Sequence, residues 1–409
     1  WGSVNMEELY ISISQTRSQP EFFISAGRGR QSQDTHRVRP LFQIPSAEGC
    51  FISGGRKQGE PESRYGKTYN RKHKTIRKMN RSKKNGRTIG AMALIASMIP
   101  VVLTAQARET GVDKTTWLYA VKGTDSLYMD RYVAEASRET NAPCLIFAFG
   151  GGFVGGERDN PAYVPYFEYF ARKGYAVVSI DYRLGLRETA GSRPDPADTP
   201  EALAERFFAA VDMAVEDLYD ATSFIVGQAR TWGLDPSAVV ASGSSAGAIT
   251  VLQGEYERCT GSALSRRLPE GFRYAGIIAF AGAVLEKGPS GPVWREKPAP
   301  IQLFHGDADC NVPYDSIGTG GAALYGSFYL SRQFRRMNTS FYFYSVSGAA
   351  HEMAVRPMDR NRAEIGIFLD RLVLGREPLM IETQVERIGT PATRKKITLS
   401  DFIRANSGA

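Results

Sequence analysis

Cysteine is scarce, with four residues in a chain of 409, which excludes a scaffold built on disulfides. Histidine is as rare, again four, so any chemistry that needs an imidazole has few places to stand. Long apolar runs are nearly missing as well. The mean hydropathy is −0.29 and one stretch alone, 88–104, stands out, which argues against a membrane-embedded bundle. The chain has no Walker lysine, no internal repeat and no metal-ligand spacing, so neither a cofactor nor a metal is expected. What remains is ordinary: 42% hydrophobic and 23% charged residues are globular proportions and exclude disordered, collagen-like and coiled-coil classes. At roughly 150 residues per domain, the length admits two domains or one large α/β domain with additions.

A formal net charge of +8 would suggest a nucleic-acid or membrane partner if it were spread over the fold. It is not spread. Residues 1–107 hold 18 basic against 7 acidic side chains, whereas 108–409 hold 33 against 36. The basic excess belongs to the leader, and no nucleic-acid partner is expected for the globular part.

That leader has three parts: a basic stretch at 79–87, an apolar stretch at 88–104, and Ala105-Gln106-Ala107. This is the build of a secretory signal peptide with its AxA cleavage site, so 79–107 reads as a signal peptide and the mature chain is expected to begin near Arg108. A span needs about 20 apolar residues, and Pro100 sits late in a shorter run, so no stable membrane anchor is expected. A periplasmic or secreted protein follows. Upstream, 1–78 is rich in Ser, Arg, Gly and Gln without a sustained period, and reads as an unstructured or over-extended N-terminal region.

From residue 115 onward, short apolar runs alternate with amphipathic ones. The segments 116–121 and 127–134 flank Lys122-Gly123-Thr124-Asp125, a hairpin signal. Segments 144–149, 175–180, 238–242, 276–280, 301–304 and 341–346 read as strands, several of them apolar throughout, as expected where helices cover both faces. Helices are expected over 161–173, from Thr199-Pro200 onward, over 323–337 and over 360–374. In the second, Leu203, Phe207, Val211, Ala214, Val215 and Leu218 share a face, with Thr199 capping and Pro200 at the first helical position. The pattern predicts an α/β domain over 108–409 with a mostly parallel sheet, helices on both faces and a C-terminal extension. Two long loops, 184–199 and 283–300, are expected at the ligand-binding end of the sheet.

Gly243-Ser244-Ser245-Ala246-Gly247 joins an apolar strand to a helical stretch. In that context glycines give clearance to a turn that lifts one serine, by spacing Ser245, to the start of the helix. A serine hydroxyl needs a base. His36 and His73 precede the signal peptide, which leaves His351, on a loop of small residues, and His305, better read as a structural residue of the segment that supplies Asp307 and Asp309. Phe149-Gly150-Gly151-Gly152-Phe153 follows a strand, and its glycines let backbone N–H groups approach a substrate oxygen.

These motifs together resemble the carboxylesterase/lipase branch of the α/β-hydrolases that carries an HGGG-type loop, and look most like secreted bacterial esterases. The likeness rests on FGGGF at 149–153, DYRL at 181–184, GSSAG at 243–247, HGDADCNVP at 305–313 and GAAHE at 348–352. It implies the α/β-hydrolase fold, with Ser245 as nucleophile, Asp309 as acid, His351 as base, and the N–H groups of Gly151, Gly152 and Ala246 as an oxyanion hole. Phe149 departs from the pattern, standing where the family has histidine. The activity implied is hydrolysis of small carboxylic esters through an acyl-enzyme, with a small-molecule ester as partner. Nothing in the residues selects an acyl length or an alcohol; plant cell-wall acetyl or feruloyl esters fit on the resemblance alone. A serine peptidase of the same fold is the first alternative, although 302 residues after the leader leave little room for a peptide-reading domain. The second is a non-catalytic cholinesterase-like binding protein, against which the presence of all three residues argues. Phe153, Trp294, Tyr314, Tyr325 and Phe328 fall on loops around the site, placed either to line a pocket or to pack. Cys259 with Cys310 is the disulfide considered for an oxidising compartment.

Overall fold

The computed structural model describes residues 111–135, 141–189, 199–288, 290–319, 321–386, 388–389 and 397–406. The expected leader at 79–107, the region 1–78 and the part of the first long loop at 190–198 lie outside the described residues.

Nine strands form the central sheet: β1 (Val112–Lys122), β2 (Asp125–Ala134), β3 (Ala142–Ala148), β4 (Ala176–Ile180), β5 (Leu234–Ser244), β6 (Gly276–Phe280), β8 (Ile301–Gly306), β11 (Phe341–Val346) and β12 (Met380–Val385). Their spatial order is β1-β2-β4-β3-β5-β6-β8-β11-β12. The hairpin β1–β2 lies antiparallel at one edge, β2 pairs antiparallel with β4, and every other pairing is parallel. After β3 the chain goes to β4 on one side and then returns to β5 on the other. That reversal opens a crevice at the carboxyl ends of β3 and β5, the place where open α/β sheets bind ligands.

The central strands are buried on both faces, as their unbroken Val, Ile, Leu and Phe runs require. Seven α-helices occur among the described residues: α1 (Val164–Arg172), α2 (Pro200–Trp232), α3 (Ala246–Thr260), α4 (Ser327–Arg336), α5 (Pro357–Arg360), α6 (Arg362–Ile367) and α7 (Leu399–Asn406). A π-helical turn, Phe368–Leu374, continues α6. α2 begins as its sequence asks, with Thr199 Oγ1 accepting the N–H of Ala202 and Pro200 behind it, and ends on Gly233 at φ 68°. Over 33 residues it buries Val211, Ala214, Val215, Leu218, Tyr219 and Ile225. Leu203, expected on the buried face, is exposed.

Three readings are corrected. Segment 323–337 is not one helix: β10 (Ala322–Gly326) pairs with β7 (Ala283–Lys287) and with β9 (Ser316–Thr319), and α4 starts only at Ser327. Ala-Ala-Leu-Tyr suits either period, and long-range pairing decided for strand. A Cβ on Gly326 would also lie 1.7 Å from the carbonyl of Pro313, so that residue belongs to a close crossing. For the same reason 283–300 is not simply a loop, since it opens with β7. The disulfide considered between Cys259 and Cys310 is absent: Cys144, Cys259 and Cys310 are all free thiols. Cys259 is buried beside Glu255 and Arg258 on α3, whereas the Cys310 thiol faces the Ala308 carbonyl in the loop after β8.

Candidate active site

Ser245 occupies the turn between β5 and α3 with φ 52° and ψ −116°, a backbone conformation that costs a non-glycine residue of order 1–3 kcal/mol. The flanking residues show how it is tolerated. A Cβ on Gly243 would lie 2.2 Å from the Gly247 carbonyl oxygen, and one on Gly247 would lie 2.1 Å from that of Ala148. The N–H of Ser245 donates to the Phe280 carbonyl at 2.9 Å, fixing the turn to β6. The result is a half-buried hydroxyl held at the crevice.

Ser245 Oγ lies 2.8 Å from His351 Nε2, and His351 Nδ1 lies 2.8 Å from Asp309 Oδ2. Three residues separated by up to 106 positions are thus brought into one hydrogen-bonded line. Asp309 is fully buried, and its other oxygen accepts the N–H groups of Asn311 at 2.8 Å and Val312 at 3.0 Å. Burial pushes its carboxyl upward, but the hydrogen bonds to His305 and His351 outweigh burial and hold it well below the usual carboxylate range. It therefore stays ionised.

His305 is fully buried behind the acid. Its Nδ1 lies 2.7 Å from Ser327 Oγ and its Nε2 3.2 Å from the Val312 carbonyl, with Asp309 Oδ2 at 3.5 Å. The carbonyl can only accept, so Nε2 donates to it. This imidazole ties the loop after β8 to α4 and stays away from Ser245. Asp307 accepts the N–H of Gly348 at 2.6 Å and the hydroxyl of Ser347 at 3.2 Å. It holds the turn that precedes His351. Ser244 is buried and donates to the Ala354 carbonyl at 2.8 Å, linking the elbow to the short turn His351–Ala354.

The glycine loop closes over the crevice from the end of β3. Gly151 and Gly152 have φ of 138° and 62°, and a Cβ on Gly150 would sit 3.2 Å from Cβ of Ser245. The N–H groups of Gly151 and Gly152 meet no acceptor among the described residues. Ala246 opens α3, and the first N–H groups of a helix have no partner within it. Three N–H groups on the glycine loop and at the start of α3 are therefore without an acceptor among the described residues. The structure also shows what replaces the histidine missing at Phe149. That ring stacks on Tyr182 at 4.5 Å, and Tyr182 Oη donates to the Phe149 carbonyl at 2.8 Å. Tyr163 Oη accepts the N–H of Gly150 at 3.3 Å. Neither tyrosine was singled out from sequence; the only signal for Tyr182 was its place in DYRL.

The five aromatics placed around the site are engaged in packing. Phe153 is fully buried between Tyr182 and Phe207, and Trp294 donates to Gln333 between Tyr256 and Phe334. Tyr314 stacks on Phe328 and bonds Ser345, and Tyr325 meets Tyr329. Among the described residues, no group of three or more His, Cys, Asp or Glu could hold a metal ion.

Residues 129–196 match the BD-FAE family. The chain has the α/β-hydrolase fold. Over 126 residues, 30% of the chain, it is 28% identical to fumonisin B1 esterase of Sphingopyxis macrogoltabida. Over 127 residues, 31% of the chain, it is 25% identical to esterase B1 of Culex pipiens. These matches span 22% and 21% of the two relatives, about a fifth of their length. Among solved structures, the apo form of Thermogutta terrifontis esterase 2 is 21% identical with a TM-score of 0.43, covering 62% of this chain and 95% of that one. The propionate-bound form of the Thermogutta terrifontis enzyme has a TM-score of 0.44 at 21% identity, covering 62% and 94%. The resemblance of this chain to carboxylesterases, drawn from five short motifs, is borne out.

Proposed function

We propose that this α/β-hydrolase cleaves small carboxylic esters through an acyl-enzyme on Ser245, with His351 as base and Asp309 as acid. The observation that carries the reading is the unbroken line Ser245 Oγ, His351 Nε2, His351 Nδ1, Asp309 Oδ2, with 2.8 Å at both contacts. An ionised Asp309 accepts the Nδ1 proton, which leaves Nε2 free to take the proton of Ser245. As the Oγ–C bond forms, that proton moves to Nε2 and the carbonyl oxygen gains charge. The N–H groups of Gly151, Gly152 and Ala246 meet that charge, each such donor contributing about 3–4 kcal/mol at the transition state in serine hydrolases. Collapse breaks the ester C–O bond, and His351 returns the proton to the departing alcohol. Water then repeats the sequence on the acyl group. The esterase names of the relatives support this choice over a peptidase.

A fluorophosphonate should label the protein on Ser245, with labelling lost in Ser245→Ala and kept in Ser244→Ala. A panel of p-nitrophenyl esters of rising acyl length, run beside a peptide substrate, should show turnover of the short esters. Labelling that persists in Ser245→Ala, or turnover of the peptide alone, defeats the proposal.

We also propose that the protein is exported after cleavage behind Ala107, a reading supported by the basic, apolar and AxA segments of 79–107. Expressed from Met79 in a bacterium, it should appear outside the cytoplasm with a new N-terminus near Arg108. An intact chain in the cytoplasmic fraction refutes export.

A further inference from the structure

At the opposite edge of the sheet from Ser245, where β3, β4 and β5 begin, lies a cavity of about 50 Å³. Its apolar wall includes Ala142, Ala176 and Leu234, and its polar lining comes from Arg131, Tyr175 and Trp232. Each of those three side chains carries a buried donor without a partner: Arg131 Nε, Tyr175 Oη and Trp232 Nε1. Trp232 and Tyr175 are each only 7% exposed, so water outside does not satisfy them. Leaving a buried donor unpaired costs about 1–3 kcal/mol, which makes three around one small space unusual.

The charge is unbalanced too. The guanidinium of Arg131 lies over the Trp232 ring, 5.0 Å from its centroid. Burial lowers its pKa, and the one group acting against that is Cys144, a thiol that burial pushes up to about 12 and so keeps neutral. No carboxylate pairs with this cation among the described residues, whereas Arg158 and Arg183 each pair with two. Three donors and an unanswered positive charge call for an acceptor that is also an anion. We propose that this cavity binds one small monovalent anion, of halide size, between Arg131, Tyr175 and Trp232. A halide accepts from all three donors and supplies the missing charge, while a water accepts from two and supplies none. The volume compares with about 30 Å³ for one water in the liquid, so a single small ion enters and a bulky carboxylate such as gluconate does not. The carbonyl end of α2 works against an anion here, but that effect fades within a turn and faces a full, partly desolvated charge. The bound ion pins the last residue of α2 to β2 and to the start of β4, so it stabilises the fold and leaves the distant serine untouched.

The test is the melting temperature of the full chain as bromide replaces gluconate at constant ionic strength, in the native protein, Trp232→Phe and Arg131→Gln. The native protein should gain roughly 5 °C by the point where bromide is about 100-fold above its Kd, the gain growing with the logarithm of bromide concentration. Both variants should lose the gain. Esterase turnover, where present, should not follow bromide in any of the three. Anomalous scattering from a bromide-soaked crystal of the native protein should place a peak in the cavity, independently of how the variants fold. A flat response, a linear rise shared by all three proteins, or a cavity holding water alone would overturn the site.

Discussion

Asp309 and Asp307 stand two positions apart and do different work. Asp309 faces His351, while Asp307 bonds the turn at Ser347 and Gly348 that carries it. Asp309→Asn should stay folded and lower kcat by about 10³- to 10⁴-fold, because an amide donating to Nδ1 enforces the wrong tautomer. Asp307→Asn should keep most of kcat and lose about 1–2 kcal/mol of stability through a weakened turn. Measuring kcat and melting temperature on both variants separates the roles, and an inactive but stable Asp307→Asn would reverse them. The depressed carboxyl of Asp309 adds a pH signature. Its folded pKa lies below the unfolded value of about 3.9, so its stabilisation is fully present above that pH and is lost as pH falls through the folded value. Asp309→Asn should flatten this acid limb, and chemical denaturation from pH 6 down to pH 2 reads it.

The elbow leaves space only for glycine at Gly243, where its own backbone folds back, and at Gly247, where it touches the backbone of Ala148 and Phe149 ahead of the glycine loop. The glycine loop has a brace of its own. The Phe149 ring stacks on Tyr182, and the Tyr182 hydroxyl holds the loop carbonyl. Tyr182→Phe keeps the ring and removes one hydrogen bond, a loss of about 0.5–1.5 kcal/mol. If the brace sets the donor geometry, kcat on a short ester should fall several-fold with KM little changed. A fall in melting temperature with kcat intact would mean that Tyr182 supports the fold alone.

Across the whole molecule, α2 is clamped to the sheet by charge as well as by its apolar face. Arg183, which follows Tyr182, bonds the fully buried Asp217 through its backbone N–H at 2.8 Å and through its guanidinium at 2.8 to 3.1 Å. Glu216 receives the same guanidinium at 2.9 Å and also pairs with Lys122 of β1. Removing one partner of a buried pair costs about 3–5 kcal/mol, and the partial exposure of Arg183 lowers that toward 3. Asp217→Ala should therefore lower the melting temperature by several degrees, with Ser245 still labelled by fluorophosphonate. An unchanged melting temperature would show that the apolar face of α2 holds it unaided.

The strand–helix alternation, the limits of β6 and β11, the cap of α2 and the glycine-flanked serine were legible in the sequence, because each is set by residues close together along the chain. Periodicity, capping and turn chemistry act over a few positions and leave a local record. The paired strands β7, β9 and β10 were not legible, since Ala322–Gly326 suits a helix as well as a strand until partners from distant segments arrive. The same holds for the last strand, β12, whose half-exposed Met380–Val385 has no strong period of its own and is defined by pairing with β11. Chemical partners divide in the same way. The residue types at 245, 309 and 351 pointed to one another by motif, but the choice between two carboxylates and two imidazoles became spatial only when β5, β6, β8 and β11 lay side by side in parallel. The brace from Tyr163 and Tyr182, and the three orphaned donors around Arg131, depend on contacts between segments remote in sequence, and only tertiary packing brings them together.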